Sequence, residues 1–227
     1  MNLEEQEIIE FIKKLGVSDV AAVDMTDDLQ DQKMTLKKAF SFLIQLSVPV
    51  VEEISDRPTK TYFSHYRSMN NHINEVSQRI TIELQSRGYK AYPVPASQSV
   101  DDDQSLHGIF PHRTAAHLSG LGFIGKSGML IHNRFGPAIR LGTVLTDFPV
   151  QRKASFMESG CGECDLCKKA CPAMAIEGVE WNPSLKRADL YDAHACSRYM
   201  KDRFQLIGRG AVCGICMRVC PYYTETI

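Results

Sequence analysis

All eight cysteines of this 227-residue chain lie at or beyond position 161, and their spacing is the clearest sign of chemistry in it. The first 160 residues contain none, and the eight fall within a stretch of 60. Thiols this concentrated serve either as a disulfide framework or as metal ligands. The N-terminus, MNLEEQEIIEFIKKLG, is acidic and amphipathic and lacks the apolar core and cleavage site of a secretory leader. Nothing therefore signals an oxidising compartment, and the expectation is metal in a cytoplasmic protein.

The spacing narrows the metal. Cys161-x2-Cys164-x2-Cys167-x3-Cys171-Pro172 is the run found in bacterial two-cluster ferredoxins, where three cysteines hold one [4Fe–4S] cube and the fourth reaches the other. Cys213-x2-Cys216-x3-Cys220-Pro221 repeats its last three positions. Cys196 supplies the missing member, displaced by an insertion of 16 residues. Crossed ligation then gives one cluster to Cys161, Cys164, Cys167 and Cys220, and the second to Cys171, Cys196, Cys213 and Cys216. Zinc is the competing reading, but zinc sites are built from CxxC pairs or CxxC with histidines and do not call for this longer pattern. Small residues beside the ligands (Gly160, Gly162, Gly214, Ala170, Ala173) leave room for backbone N–H groups to approach the sulfurs.

A second motif lies ahead of the cysteines. Gly120-Leu-Gly-Phe-Ile-Gly-Lys-Ser127 satisfies both GxGxxG, through Gly120, Gly122 and Gly125, and GxxxxGK[ST], through Lys126 and Ser127. Both patterns hold phosphate only between a strand and the start of a helix. Here the preceding HRTAAHLS reads as helix and the following GMLIH as strand, so the order is inverted. The milder reading is a glycine turn passing close to another element or a cofactor, with Gly120, Gly122, Gly125 and Lys126 as candidate cofactor contacts.

The elements that must position these residues read as mixed α and β. Leu3, Ile8, Ile9, Phe11, Ile12 and Leu15 form a helical stripe ended by Gly16. SDVAAVDM (18–25) reads as a strand, Ala39 to Val48 as strand or helix, and Thr59 to Arg87 as a long helix stopped by Gly88. Tyr89–Val94, Met129–His132 and Ala138–Thr146 read as strands, Pro111–Ser119 as a short helix, and the polar 97–107 stretch with Asp101-Asp102-Asp103 as a solvated loop. His65 and His72 share a face of the long helix, while His112 and His117 are off metal-binding spacing. The expected organisation is an α+β body over 1–152 followed by a two-cluster ferredoxin-like domain over 153–227, with Gln151–Ser159 as linker.

Composition excludes other classes. A net charge of −1 speaks against a dedicated nucleic-acid binder, and the longest apolar run, Ala39–Val51, is too short and too interrupted to cross a bilayer.

Taken together, HRTAAHLSGLGFIGKSGMLI, RLGTVLTD, CGECDLCKKACPAMAI and CGICMRVCPY resemble the epoxyqueuosine reductase family and the related reductive dehalogenases over roughly residues 110–221. The resemblance implies a body folded like flavin-dependent nitroreductases and holding a corrinoid of the cobalamin type, fed by the two clusters and acting on an organic substrate. It also implies a ferredoxin- or flavodoxin-type electron donor. Two features depart from it. Counting back from Gly120 to the position of the family's proton-donating Asp lands on Leu106, in a segment, SLHGIFPHR, that does not match; His107 and Asp103 are the nearby substitutes. The sequence also stops six residues after Pro221, without the helical-repeat domain that grips tRNA. The leading expectation is thus a reductase with its own small-molecule substrate. The alternatives are a ferredoxin-like carrier or reductase partner without catalysis of its own, and an epoxyqueuosine reductase proper. Oligomeric state is open.

Overall fold

A computed structural model of the chain describes residues 2–28, 34–97 and 106–224. The elements run α1 (Leu3–Lys13), β1 (Asp19–Asp24), β2 (Lys38–Gln45), α2 (Val48–Glu52), α3 (Lys60–Ser86), β3 (Ala91–Val94), α4 (His112–Leu118), β4 (Phe123–Ile124), β5 (Leu130–Ile131) and β6 (Ile139–Thr146). The cysteine-rich part adds α5 (Leu166–Ala170), α6 (Arg187–Leu190), α7 (Ala193–Arg203), α8 (Ile215–Arg218) and α9 (Pro221–Thr224). Two compact units interleave along this order. One comprises Met1–Gln45, Met69–Leu121 and Arg140–Met157, the other Leu46–Ser68, Gly122–Ile139 and Glu158–Ile227. The aspartate run at 101–103 lies outside the described residues.

The first unit is built on a sheet of order β1-β2-β6-β3, with β1 antiparallel to β2 and β3 antiparallel to β6. One face carries Val20, Ala22, Phe40, Phe42 and Val144. It is covered by Ile8 and Ile12 of α1 and by Ile73, Val76, Ile80 and Leu84 of α3, spaced as one helical stripe. The other face carries Val23, Ala39 and Leu145 against Ala115 and Leu118 of α4. Because helices cover both faces, β2 is a nearly continuous buried run rather than an alternating one. This is why Ala39–Val48 reads ambiguously in sequence.

Local chemistry ends the helices where expected. Asn2 caps α1 by accepting the Glu5 N–H at 2.7 Å, and Gly16 and Gly88 take positive φ after α1 and α3. Arg87 gathers Glu83 at 2.7 Å and Glu7 at 3.0 Å, tying the end of α3 to α1. Arg140 donates from Nε and Nη2 to Asn70 Oδ1 at 3.0 and 2.7 Å, joining β6 to α3.

His112 opens α4 with both ring nitrogens engaged, Nδ1 on Thr143 Oγ1 at 2.9 Å and Nε2 on the Pro95 carbonyl at 3.0 Å. The carbonyl requires Nε2–H as donor, so the neutral ring accepts from the Thr143 hydroxyl at Nδ1. Burial holds its pKa down to about 4, the Arg140 charge acting the same way and the Pro95 carbonyl opposing.

In the second unit β4 and β5 form a two-stranded hairpin, Phe123 opposite Ile131 and Ile124 opposite Leu130. Tyr223 of α9 donates to the Val48 carbonyl at 3.2 Å, and Gly208 and Gly214 pass close to Phe63 and to Ile54 and Tyr62. The cysteine-rich segment therefore packs on α2, the start of α3 and the β4–β5 hairpin.

Two tests follow. A Cβ at Gly142 would run into the fully buried Phe42 ring. Gly142→Ala is expected to destabilise by about 1–3 kcal/mol in denaturant unfolding, and by less in a Phe42→Leu background that makes room. For His112, the folded pKa is below the unfolded value, so its contribution is complete above pH ~6.5 and is lost as pH falls toward 4. His112→Gln should flatten the fall in unfolding free energy across that window; an unchanged slope would refute the assignment.

Candidate iron–sulfur site

The cysteines sit on short elements placed close together. Cys161 and Cys164 lie on the loop before α5, with the Cys164 N–H donating to the Cys161 carbonyl at 2.9 Å. Cys167 is in α5 and Cys171 is its C-cap. Cys213 precedes α8, Cys216 is within it and Cys220 follows it. Gly214 takes φ +88 at the α8 N-cap, where its missing Cβ avoids Ile54. The 16-residue insertion folds mainly as the rest of α7 and a turn at Gly208–Gly210, and Cys196 lies in α7 itself. Asp192 caps that helix, accepting from the N–H groups of His194 and Ala195 at 2.8 and 2.9 Å, and those bonds draw its carboxyl below the usual range.

The thiols fall into two neighbourhoods. Cys220 lies near Cys161, Cys164 and Cys167, whereas Cys196 lies near Cys213 and Cys171. Cys216 lies between the two sets, near Cys213, Cys196 and Cys171 and also near Cys167. In each case burial raises the thiol, driving Cys196 and Cys220 up to about 11 and Cys216 higher. Backbone N–H groups approach the sulfurs: Ala175 donates to Cys171 Sγ at 3.4 Å, Lys126 to Cys161 Sγ at 3.5 Å, and Ile215 and Tyr222 face Cys213 and Cys220.

Cys161, Cys164, Cys167, Cys216 and Cys220 line a cavity of about 240 Å³. All five are half-buried. Among the described residues no group of three or more His, Cys, Asp or Glu converges closely enough to hold a single metal ion. Sulfurs that surround a volume rather than a point suit a four-iron cube with its own sulfides, and the donor set fits that group. Tyr222 borders the cavity, donating from its hydroxyl to the Gly160 carbonyl at 3.0 Å and packing edge-on against Phe123.

The glycine motif is divided by the structure. Gly120 follows α4 in the first unit with φ +78, beside Arg152. Gly122 belongs to the second unit, where a Cβ would collide with the Ile131 carbonyl across the hairpin. Gly125 and Lys126 line the cysteine cavity. A helix precedes the motif and a strand follows it, the reverse of a phosphate-binding turn. Sequence reasoning singled out Lys126 but gave no sign of its neighbours. It also missed Tyr222, for which the adjacent Cys220-Pro221 was the available signal. Of the expected proton-donor substitutes, His107 is exposed and Asp103 lies outside the described residues. No described helix is long and apolar enough to cross a membrane.

Residues 160–223 match the family of 4Fe-4S double cluster binding domains. An epoxyqueuosine reductase of Staphylococcus aureus is 31% identical over 116 residues, which make up 50% of this chain and 30% of that protein. The matches to the curated epoxyqueuosine reductases span less than half of their length. The crystal structure of an epoxyqueuosine reductase with an epoxyqueuosine-modified tRNA-Tyr stem loop aligns with a TM-score of 0.62 at 19% identity, covering 98% of this chain and 66% of that one. A reductive dehalogenase whose structure is described in terms of B12-dependent dehalogenation aligns with a TM-score of 0.68 at 20% identity, covering 93% and 31%. The fold is thus shared with both kinds of protein, and residues 160–223 are similar to 4Fe-4S double cluster binding domains.

Proposed function

We propose that the chain is an iron–sulfur reductase in which Cys161, Cys164, Cys167 and Cys220 hold one [4Fe–4S] cluster and Cys171, Cys196, Cys213 and Cys216 the other. What supports this reading is the spacing of the two cysteine runs together with the match of residues 160–223 to double cluster binding domains, with Cys220 lining the same cavity as Cys161, Cys164 and Cys167. Backbone N–H groups aimed at the sulfurs stabilise the ligating thiolates and tune the cluster potential. The family relationship supports a corrinoid in the body, over 1–152, with a nitroreductase-like fold there and a ferredoxin- or flavodoxin-type donor. Bound there, a corrinoid would supply two-electron reduction of an organic substrate. The net charge of −1 favours a small substrate over a nucleic acid.

A second reading, an electron carrier or reductase partner without its own catalysis, is favoured by His112. With both ring nitrogens engaged and the ring held neutral, it is a fixed strut rather than an available acid.

Anaerobic reconstitution should load about eight irons per chain, four for each cluster; bound zinc in their place would end the cluster reading. Crossed ligation makes a sharper claim about double variants. Cys161→Ser with Cys220→Ser damages one cluster only and should leave about four irons, whereas Cys161→Ser with Cys171→Ser damages both. The opposite result would mean uncrossed ligation. Titration with cobalamin, followed by absorbance and cobalt content, should give a base-off spectrum at about one cobalt per chain. An unchanged spectrum would remove the corrinoid and leave the carrier reading.

A further inference from the structure

We propose that Lys126, placed by the glycine turn rather than by any cysteine motif, is a positioning residue of the cluster held through Cys161, and that its charge raises the potential of that cluster. The proposal rests on the two-cluster reading above. Lys126 is only 9% exposed and lines the cysteine cavity. Its backbone N–H points at Cys161 Sγ at 3.5 Å, and its ammonium donates to the carbonyl of Gly162, the next residue of the ligand loop. The Gly162 N–H donates in turn to Glu180 Oε1 at 2.9 Å. One peptide-length of the ligand loop is thereby held by a cation on its carbonyl side and an anion on its amide side.

The turn is shaped for this approach. A Cβ on Gly125 would lie 3.4 Å from Cys161 Sγ and 3.1 Å from the Ile131 side chain, so glycine lets the chain pass beside the sulfur and Lys126 reach over the loop. Among the described residues no carboxylate lies within salt-bridge distance of the Lys126 ammonium. A buried cation without a counter-ion is costly. A cube with four thiolates supplies one, being doubly negative when oxidised and triply negative when reduced. The added electron places more negative charge beside the ammonium, so the reduced state gains more from Lys126 than the oxidised state does. The same residues account for a GK pair that resembles a phosphate loop in sequence while lying in the wrong structural order for one.

The test compares reconstituted wild type, Lys126→Met and Lys126→Arg by iron content and by EPR-monitored redox titration of both clusters. The expected result is full iron in each, with one midpoint moved to lower potential in Lys126→Met, the other midpoint moved less, and Lys126→Arg near wild type. If Lys126→Met loses about half its iron and Lys126→Arg restores it, the charge is needed to hold the loop and the proposal also stands. Full iron with both midpoints unchanged, or iron loss that Lys126→Arg does not restore, overturns it. Failure of the wild type to take up iron would instead count against the two-cluster reading itself.

Discussion

A buried thiol resists ionisation, yet an iron–sulfur cluster is held by thiolates, and the second unit is arranged around that conflict. Burial raises the thiols of Cys167, Cys196, Cys213, Cys216 and Cys220. Iron reverses the balance, because a bound cation deprotonates the thiol that ligates it. The elements carrying the ligands are meagre by themselves. α5 has five residues, α8 and α9 have four each, and β4 and β5 have two each. Helices and hairpins of that size do not persist in water without something to pack on. Under the proposed ligation, cluster assembly and folding of this unit are one event, and protons leave as iron enters.

The proposed crossed ligation would add a second coupling. Cys171 is the C-cap of α5 and Cys220 follows α8, so under that proposal each short helix would end at a ligand for the cluster served mainly by the other motif. Neither loop can then be set without its partner. Cys196 enters this arrangement from α7, an 11-residue helix with a carboxylate N-cap. A ligand displaced by a long insertion needs such a rigid carrier, because a flexible loop would pay the ordering entropy at each assembly.

How much of this could be read from sequence depended on whether a pattern was local. The cysteine runs are local, and so are the stripes of α1 and α3 with their glycine stops at Gly16 and Gly88. β2 was ambiguous because helices cover both faces of the sheet, and a six-residue buried run has no period to betray its geometry. The GK pair was legible as a motif but not as a site. What distinguishes a phosphate loop from a cluster clamp is the order of strand and helix and the neighbour across space, and Cys161 lies 35 residues away from Lys126. Tyr222 escaped notice for the same reason, since its partners Phe123 and Gly160 are remote in sequence.

Four of the described histidines show polar chemistry given over to architecture. His65 accepts the Ser47 N–H through Nε2, His132 accepts the N–H groups of Arg134 and Phe135 through Nδ1, and His112 spans Thr143 and Pro95. His117, 1% exposed, receives the Met157 N–H at 3.4 Å. Each of these four braces a turn or strand end. A reductase that moves electron pairs also needs protons delivered on time, and a general acid must be free to lose and regain its proton. The division of labour in this chain therefore follows residue type: thiols and one buried lysine gather around the cysteine cavity, while the engaged imidazoles hold the scaffold.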